Sequence, residues 1–394
     1  MVKEIKESSK GYKFMIGILT VVLCFSFLTG MALAKPVKTY NEYVASLPAG
    51  YQPVPRACFE QAKKEGKLNI LIWAEWWPAE LFENYSEQFG IDVVQDHYSS
   101  YDEVITKFKL YPKAEYDLVI GMGLSGFGRM VGLNQIQKLN SNWVPNVTKY
   151  TADSVKKDWR RLGFAEYGIV YCAYFSGYAY NPKYVDDARI PSMAVLLEPN
   201  AKYKGRVTLV DDMFEVIGDA LIYLGYPVNS TDEKQLMEAK KLLMKLKPHV
   251  MAFDTWPKRL LFEEEAWVAM TWMGDAWNMH ADLPNLKAAL PLEGSTIAYD
   301  PIGLPPSSTH PAAAHLFLNY IFRPDANVIL TETVGHSPVN TAVPELLSSE
   351  ELKKWPGAVL SKVSNLNRYQ FLNSDSYTGK GLELRTEIWE ELKR

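Results

Sequence analysis

The sequence has few of the residues on which disulfide, metal and nucleophile chemistry depend. It contains three cysteines and six histidines among 394 residues. No histidine has the spacing of a zinc site, and no G-x-S-x-G motif of a serine hydrolase occurs. His310 and His315 fall in one predicted helix, where we expect them to face solvent. We therefore predict no metal, no cofactor and no enzymatic activity.

The first 34 residues have the pattern of a cleavable export signal rather than a membrane anchor. Four lysines in the stretch Lys3–Lys13 precede the apolar run Phe14–Leu28, and Ala32-Leu33-Ala34 fits the small-x-small cleavage rule. The run is shorter than the ~20 residues of a spanning helix. Cys24 follows a leucine instead of a small residue, which argues against a lipid anchor. We predict export and cleavage near Ala34.

The charge balance excludes nucleic acid and anionic membranes as partners. The whole chain has a net charge of −4, and the first 34 residues carry four lysines and two glutamates, so the remainder has −6. A mildly acidic surface repels polyanions. After cleavage, Cys58 and Cys172 remain, and in an oxidising compartment they could pair. Because Cys172 lies in an apolar run, we expect two buried free thiols, with a disulfide as the alternative.

The hydrophobic pattern predicts an α/β fold. Strands are expected at Leu68–Trp73, Ile91–Tyr98 and Asp117–Ile120, and amphipathic helices at Pro78–Phe89 and Tyr101–Leu110. This alternation indicates a parallel sheet with helices on both faces.

Later segments extend this pattern. Tyr167–Tyr180 and Ile297–Pro305 are continuous extended runs that we interpret as crossovers between two lobes. Val207–Val210 is predicted to be a strand, and Ser230–Glu233 a capping box that opens a helix.

Two clusters of tryptophan and acid come directly after predicted strands. Trp73 and Trp76 follow the first strand, and Trp272 and Asp275 follow the strand predicted at residues 267–271. Ligands bind at the carboxyl ends of strands in open α/β sheets. Aromatic faces attract an organic cation, and carboxylates accept charge-assisted hydrogen bonds from it. The pattern predicts a site for an organic cation, although core packing of the tryptophans is the alternative.

Three further acids stand where an unpaired carboxylate is costly. Asp212 and Glu215 share one face at a predicted helix start and would repel each other without a cation between them. Helix capping needs only one acid, so capping and cation binding both stay open. Asp300 lies alone in an apolar run, where it needs a partner unless Pro301 places it in a turn.

A glycine-rich stretch follows the third predicted strand. Gly121–Gly126 matches G-x-G-x-x-G, but the acid expected about 20 residues later is missing. We therefore expect a turn that presents backbone N–H groups to the cleft, not a nucleotide site. A small anion bound at this turn is an alternative.

Short stretches spread along most of the chain match one protein family in the same order. They are Leu71-Ile72-Trp73, Phe89–Val94, Tyr116–Ile120, Tyr203–Val207, Asp211–Val216, Leu224–Tyr226, Asn229–Asp232, Leu246–Pro248, Trp272–Ala276 and Val334–Pro338. Together they resemble the periplasmic spermidine/putrescine-binding proteins of ABC transporters. Many moderate matches in one order are more specific than any single one.

This resemblance implies a type II periplasmic-binding-protein fold, with two α/β lobes joined by extended crossovers and a ligand cleft between them. The lobes are expected at residues 35–177 with 299–342, and at residues 178–298 with 343–394. The implied protein is a periplasmic monomer that captures a polyamine and delivers it to an ABC permease. The implied ligand-binding residues are Trp73, Trp76, Asp212, Glu215, Trp272, Asp275 and Asp300.

The chain departs from the family at the walls of the expected site. Ala298 replaces an aromatic residue, Gly121–Gly128 replaces a Pro-Ser-x-Tyr loop, Ala173 replaces a common tryptophan, and His336 a common tyrosine. The acids match better than the walls, so an organic cation is a firmer expectation than spermidine or putrescine. The alternatives are another solute in the same fold, an exported enzyme that uses an acid pair, and a sensory protein that docks on no permease.

Overall fold

The computed structural model describes residues 36–73 and 76–394. The predicted signal peptide and its cleavage site lie outside these residues, as do Ala74 and Glu75 in the first tryptophan cluster. Within the described residues, no helix combines the length and apolarity needed to cross a bilayer.

Among the described residues, ten strands form one mixed sheet. The strands are β1 Lys67–Trp73, β2 Asp92–Tyr98, β3 Leu118–Ile120, β4 Gly168–Tyr180, β5 Val207–Leu209, β6 Val250–Phe253, β7 Val268–Trp272, β8 Lys287–Ala289, β9 Ile297–Gly303 and β10 Ser337–Pro338. Their order is β2-β1-β3-β9-β4-β7-β5-β6, with β8 and β10 both paired to β4.

Helices cover the sheet. They are α1 Tyr40–Ser46, α2 Arg56–Glu65, α3 Ala79–Phe89, α4 Tyr101–Leu110, α5 Gly123–Gly132, α6 Pro145–Tyr150, α7 Asp153–Arg161, α8 Ala194–Leu197, α9 Met213–Tyr223, α10 Glu233–Leu246, α11 Lys258–Phe262, α12 Met273–Asp282, α13 Pro311–Ile321, α14 Pro324–Val334, α15 Ser374–Tyr377 and α16 Gly379–Lys393. The predicted bounds of α4 are confirmed, and α3 begins one residue later than expected.

The sheet contains two groups of parallel strands, one on each side of its central strands. β1 is parallel to β2 and β3, as the alternating pattern predicts, and β5 is parallel to β6 and β7. The strands β9 and β4 lie between the groups, and each is antiparallel to its neighbours. Three successive antiparallel pairings reverse the direction, so the two groups run in opposite directions.

The long strand β4 brings the two groups end to end. Its first part pairs with β9 as far as Phe175, and its second part pairs with β7 from Ser176 onward. Trp272, the last residue of β7, is paired with Ser176. The carboxyl ends of both groups therefore face each other near the middle of β4, where ligands bind in such sheets. The two extended runs predicted at Tyr167–Tyr180 and Ile297–Pro305 are confirmed as strands β4 and β9.

Hydrophobic residues collect on both sides of this junction. One core cluster draws on residues 43–173 and 298–339, and another on residues 178–289 with Ile388 and Leu392. The lobe boundaries expected from the sequence stay a prediction. Cys58 and Cys172 are both free and buried, so the expectation of two buried thiols is confirmed.

Two local predictions are wrong, and the predicted glycine-rich turn is shorter than expected. It covers Gly121 and Met122, and helix α5 begins at Gly123. Helix α10 is capped by Asp232, whose carboxylate accepts the Gln235 N–H, and not by Ser230. His315 is 3% exposed, because α13 is buried along nearly its whole length. Its Nε2 accepts the Asn140 N–H at 2.9 Å.

Candidate ligand-binding cleft

A cavity of about 300 Å³ lies where the carboxyl ends of the two strand groups meet. This volume is at the lower end for small-molecule sites. The lining residues are Trp73, Trp76, Ser99, Tyr101, Gly121, Gly123, Tyr174, Thr255, Trp256, Trp272, Asp275, Asn278, Asp300 and His336. They come from the ends of β1, β2, β3, β6 and β7, from the crossovers β4 and β9, and from the turn after α14.

Aromatic rings form the walls. Trp73 ends the buried strand β1, and its ring meets Tyr101 edge to face at 5.6 Å between centroids. Trp76 stacks on His336 at 5.5 Å, and its indole N–H is buried without a hydrogen-bond partner among the described residues. Tyr174 packs edge-on against Trp272 at 5.9 Å. The Trp272 indole N–H is likewise buried without a partner among the described residues, so the walls present π faces and two free N–H donors.

Asp275 is buried in the first turn of α12, directly after β7. A helix N-terminus favours a carboxylate, but the side chain is only 6% exposed, and burial raises its pKa to about 7. The nearest basic group is Nε2 of His336, 3.8 Å from Oδ1. Burial lowers the pKa of His336 to about 3, so this imidazole is neutral and offers no counter-charge.

Asp300 lies inside strand β9, not in a turn. Its Oδ1 accepts the Gly123 N–H at 3.1 Å, and its Oδ2 accepts the Tyr171 hydroxyl at 2.5 Å. Burial raises the pKa of Asp300 to about 7, although both hydrogen bonds act in the opposite direction. Gly123 thus brings a backbone N–H to the cleft, as the sequence predicts, and uses it to orient a carboxylate.

Asp212 and Glu215 do not line this cavity. Asp212 caps α9 and accepts the N–H groups of Phe214 at 2.8 Å and Glu215 at 3.2 Å. Glu215 is 4% exposed and accepts the Thr296 hydroxyl. Its pKa is raised, first by burial and then by Asp212 and Asp219. The nearby Trp272 indole lowers the pKa of Glu215, although its N–H completes no hydrogen bond. Because Trp272 is part of the cavity wall, the acid pair lies beside that wall.

Five of the seven predicted site residues are therefore brought together around one cavity, and two lie behind it. The five are Trp73, Trp76, Trp272, Asp275 and Asp300. The acid pair is close enough to raise the pKa of Tyr101, after burial and Asp300. Tyr101 thus stands near both groups of carboxylates.

Sequence reasoning missed several lining residues. Tyr101 follows the end of β2 and Trp256 follows the end of β6, so the carboxyl-end rule that selected Trp73 would have found both. Trp256 is 44% exposed at the mouth of the cavity. Tyr174 is paired with Ala298 across β4 and β9, and it supplies a ring beside the position where Ala298 lacks one. Strand pairing of this kind cannot be read from one sequence.

The lining is acidic and aromatic. Its described residues include two carboxylates, Asp275 and Asp300, and no lysine or arginine. Among the described residues, no group of three or more histidine, cysteine, aspartate and glutamate side chains is placed to hold a metal ion. An organic cation fits such a site, because the rings attract it while the buried carboxylates accept its hydrogen bonds.

Two opposed groups of parallel strands with a cavity at their junction are the arrangement expected of a solute-binding protein. The sequence profile of the bacterial extracellular solute-binding proteins matches residues 80–359. The chain belongs to this family, and the family is one of binding proteins, not enzymes. The α/β fold class predicted from the sequence is confirmed by its solved relatives.

Particular relatives carry more specific names. The spermidine/putrescine-binding periplasmic protein of Escherichia coli is 30% identical over 73% of this chain and 82% of its own. A putrescine-binding periplasmic protein of Pseudomonas aeruginosa is 25% identical over 84% of this chain and 93% of its own. The crystal structure of a spermidine/putrescine ABC transporter substrate-binding protein from Streptococcus pneumoniae matches with a TM-score of 0.71 and 25% identity. It covers 83% of this chain and 99% of its own. The resemblance inferred from the sequence is confirmed.

Proposed function

We propose that this protein captures a polyamine-like organic cation in the periplasm and delivers it to an ABC permease. The observation that carries the proposal is the pair of buried carboxylates, Asp275 and Asp300, in an aromatic cavity whose described lining residues include no lysine or arginine. The names of the relatives support the same ligand class. Export through a signal peptide cleaved near Ala34, and action as a monomer of two lobes, are part of the proposal.

The available contacts are strong enough for useful affinity. A hydrogen bond to a charged group contributes roughly 1.5–3 kcal/mol, and a desolvated cation–π contact up to about 2 kcal/mol. A micromolar Kd corresponds to about −8.2 kcal/mol. Two ammonium–carboxylate contacts with Asp275 and Asp300, together with the faces of Trp73 and Trp272, contribute about 7–10 kcal/mol before the costs of ordering are subtracted.

The ligand also supplies a reason for the cleft to close. Trp73 and Tyr101 come from the first strand group, and Trp272 and Asp275 from the second. A solute that contacts both groups binds the closed arrangement better than an open one, and only such differential affinity shifts the balance between states. Closure is then the signal that a permease recognises.

The structure offers little support for an anion at the glycine-rich turn. The N–H of Gly123 is already hydrogen-bonded to the Asp300 carboxylate. A second anion there would lie against that carboxylate in a buried site, where like charges repel strongly.

A thermal-shift screen tests the ligand class. The purified protein, freed of ligand, is heated with putrescine, cadaverine, spermidine or spermine, and with sugars and dicarboxylates as non-amine controls. A ligand that binds only the folded state raises Tm, so we expect a shift with at least one amine and none with the controls. A shift with no amine, or an equal shift with the controls, contradicts the proposal.

A matched pair of variants then tests the site. Asp275→Ala removes the buried carboxylate from the first turn of α12. Asp153→Ala removes an acid from the first turn of α7, where its side chain is 97% exposed. We expect the amine-induced shift to disappear in the first variant and to persist in the second. A full shift in Asp275→Ala would rule out this assignment of the site.

A further inference from the structure

A second cavity, of about 350 Å³, lies apart from the ligand-binding cleft. It is bounded by the helices α6 and α7 and by the first residues of β4, and the described residues that line it are all different from those that line the cleft. Its volume is within the range of small-molecule sites. Because different elements form the two cavities, an occupant of the second cavity need not resemble the amine proposed for the cleft.

Apolar side chains form the floor of the second cavity. Val144, Val155, Trp159 and Ile169 line it, and each is at most 5% exposed. The Trp159 indole N–H donates to the Gly168 carbonyl oxygen at 2.7 Å, so this ring has no polar atom left to offer an occupant. Covering apolar surface of this kind is favourable, and we therefore expect an occupant with an apolar body.

The rim of the cavity that lies on α7 is cationic. Lys156 and Arg160 are four residues apart in this helix and share one of its faces, beside the face that carries Val155 and Trp159. Lys156 is paired with Asp153 at 3.1 Å. The Arg160 side chain forms neither an ion pair nor a hydrogen bond with any described residue. Two positive charges on one helix face repel each other, and an anion between them removes that cost.

The charge of the whole lining points in the same direction. Lys138 and Glu166, on another part of the rim, are paired at 2.7 Å and neutralise each other. Together with Lys156 and Arg160, the described lining residues have an excess of two positive charges, although residues 35–394 carry −6. The cleft has the opposite character, because its described lining residues include two carboxylates and no lysine or arginine.

We propose that this cavity is a second binding site, which takes a small amphipathic carboxylate independently of amine binding in the cleft. The carboxylate accepts hydrogen bonds from the Arg160 guanidinium, whose planar group of donors matches a carboxylate, and Lys156 supplies a second positive charge. The apolar body of the ligand lies on Val155 and Trp159. This site does not depend on the proposed function of the cleft.

Calorimetric titration with octanoate and phenylpropanoate tests the class of ligand. Acetate has the charge without the apolar body, and octanol has the body without the charge. We expect at least one of the two amphipathic carboxylates to bind, and acetate and octanol to bind about tenfold more weakly or less. Binding of neither carboxylate, or octanol binding as tightly as octanoate, would overturn the proposal.

Matched variants test the location. Arg160→Gln removes the unpaired charge, and Arg161→Gln removes the next arginine of the helix, which pairs with Asp158 and is outside the lining. We expect the Kd for octanoate to rise about tenfold or more in the first variant, to stay unchanged in the second, and to be partly restored in Arg160→Lys. Thr148→Trp places a ring at an exposed position of the rim and should block binding, whereas Lys157→Trp, outside the lining, should not. Wild-type affinity in Arg160→Gln or in Thr148→Trp would contradict this location.

Asp275→Ala separates the second site from the cleft. This variant should lose amine binding and keep its affinity for octanoate, and saturating putrescine should not displace octanoate from the wild type. Loss of octanoate binding in Asp275→Ala would show that the carboxylate enters the cleft, and would overturn the second site. A protein that binds octanoate through Arg160 and binds no amine would refute only the proposed function.

Discussion

Replacing Asp275 by asparagine should stabilise the ligand-free protein above neutral pH while removing most of its affinity for amines. Burial raises the pKa of Asp275 from 3.8 to about 7. At about 1.4 kcal/mol per pH unit, this difference of about three pH units corresponds to about 4 kcal/mol of cost for the ionised, folded state. Asparagine keeps the shape of the side chain and has no charge to desolvate.

The sign follows from proton binding. The pKa is higher in the folded state, so between about pH 4 and pH 7 the folded state holds more protons than the unfolded state. The contribution of Asp275 to stability is therefore fully present below about pH 4 and is lost as the pH rises to about 7. Above that point the full cost remains until a cation binds.

Urea unfolding of both proteins between about pH 4 and pH 8 measures this effect. We expect the wild type and Asp275→Asn to have nearly equal free energies of unfolding at the acid end. They should differ by several kcal/mol at the alkaline end, with the variant more stable. Asp300 and Asp219 also have pKa values raised by burial to about 7, but both proteins share them. Parallel curves would refute the reasoning, as would an equal effect of Asp153→Asn.

Three further results are expected. Tyr171→Phe removes the hydroxyl that binds Asp300, and calorimetry should show amine affinity about 10- to 100-fold weaker, since hydrogen bonds to charged groups contribute roughly 1.5–3 kcal/mol. Gly123 has a left-handed backbone conformation, and Gly123→Ala would place a Cβ 2.7 Å from the Tyr101 hydroxyl. Urea unfolding should therefore show a free energy of unfolding lower by about 1–3 kcal/mol. An unchanged urea midpoint would contradict this geometry. Burial raises the pKa of Asp275 to about 7, so calorimetry should show that amine affinity falls as the pH is lowered below that value. Amine binding near neutral pH should release protons. An amine affinity that stays constant between about pH 5 and pH 8 would exclude ionisable carboxylates as the cation site.

Much of the fold follows from local pattern. The apolar runs of β1, β4 and β9 are long enough to identify as strands, and the helices α3 and α4 carry apolar residues at helical spacing. The positions of Trp73, Trp272 and Asp275 at strand ends then follow from a general rule for open sheets. These features depend on residues close together in the chain, so one sequence contains the needed information.

The rest depends on contacts between distant residues. Asp212 and Glu215 lie outside the cavity lining, and Glu215 is hydrogen-bonded instead to Thr296, 81 residues further along the chain. The burial of His315 depends on the elements around α13. Tyr101 packs against Gly123 and Gly126 of helix α5, whereas glycine frequency alone predicts a turn. Such outcomes require the tertiary structure.

The continuity of β4 restricts the changes that the gene can tolerate. The strand pairs with β9 up to Phe175 and with β7 from Ser176. Its side chains therefore alternate between the two faces of the sheet without interruption from one half of the sheet to the other. A single-residue insertion or deletion at this junction would turn every later side chain of the strand to the opposite face. Length variation, and any reporter domain inserted to build a biosensor, therefore belongs in surface segments away from the cavity, such as the exposed turn at residues 111–113, and not in the crossover.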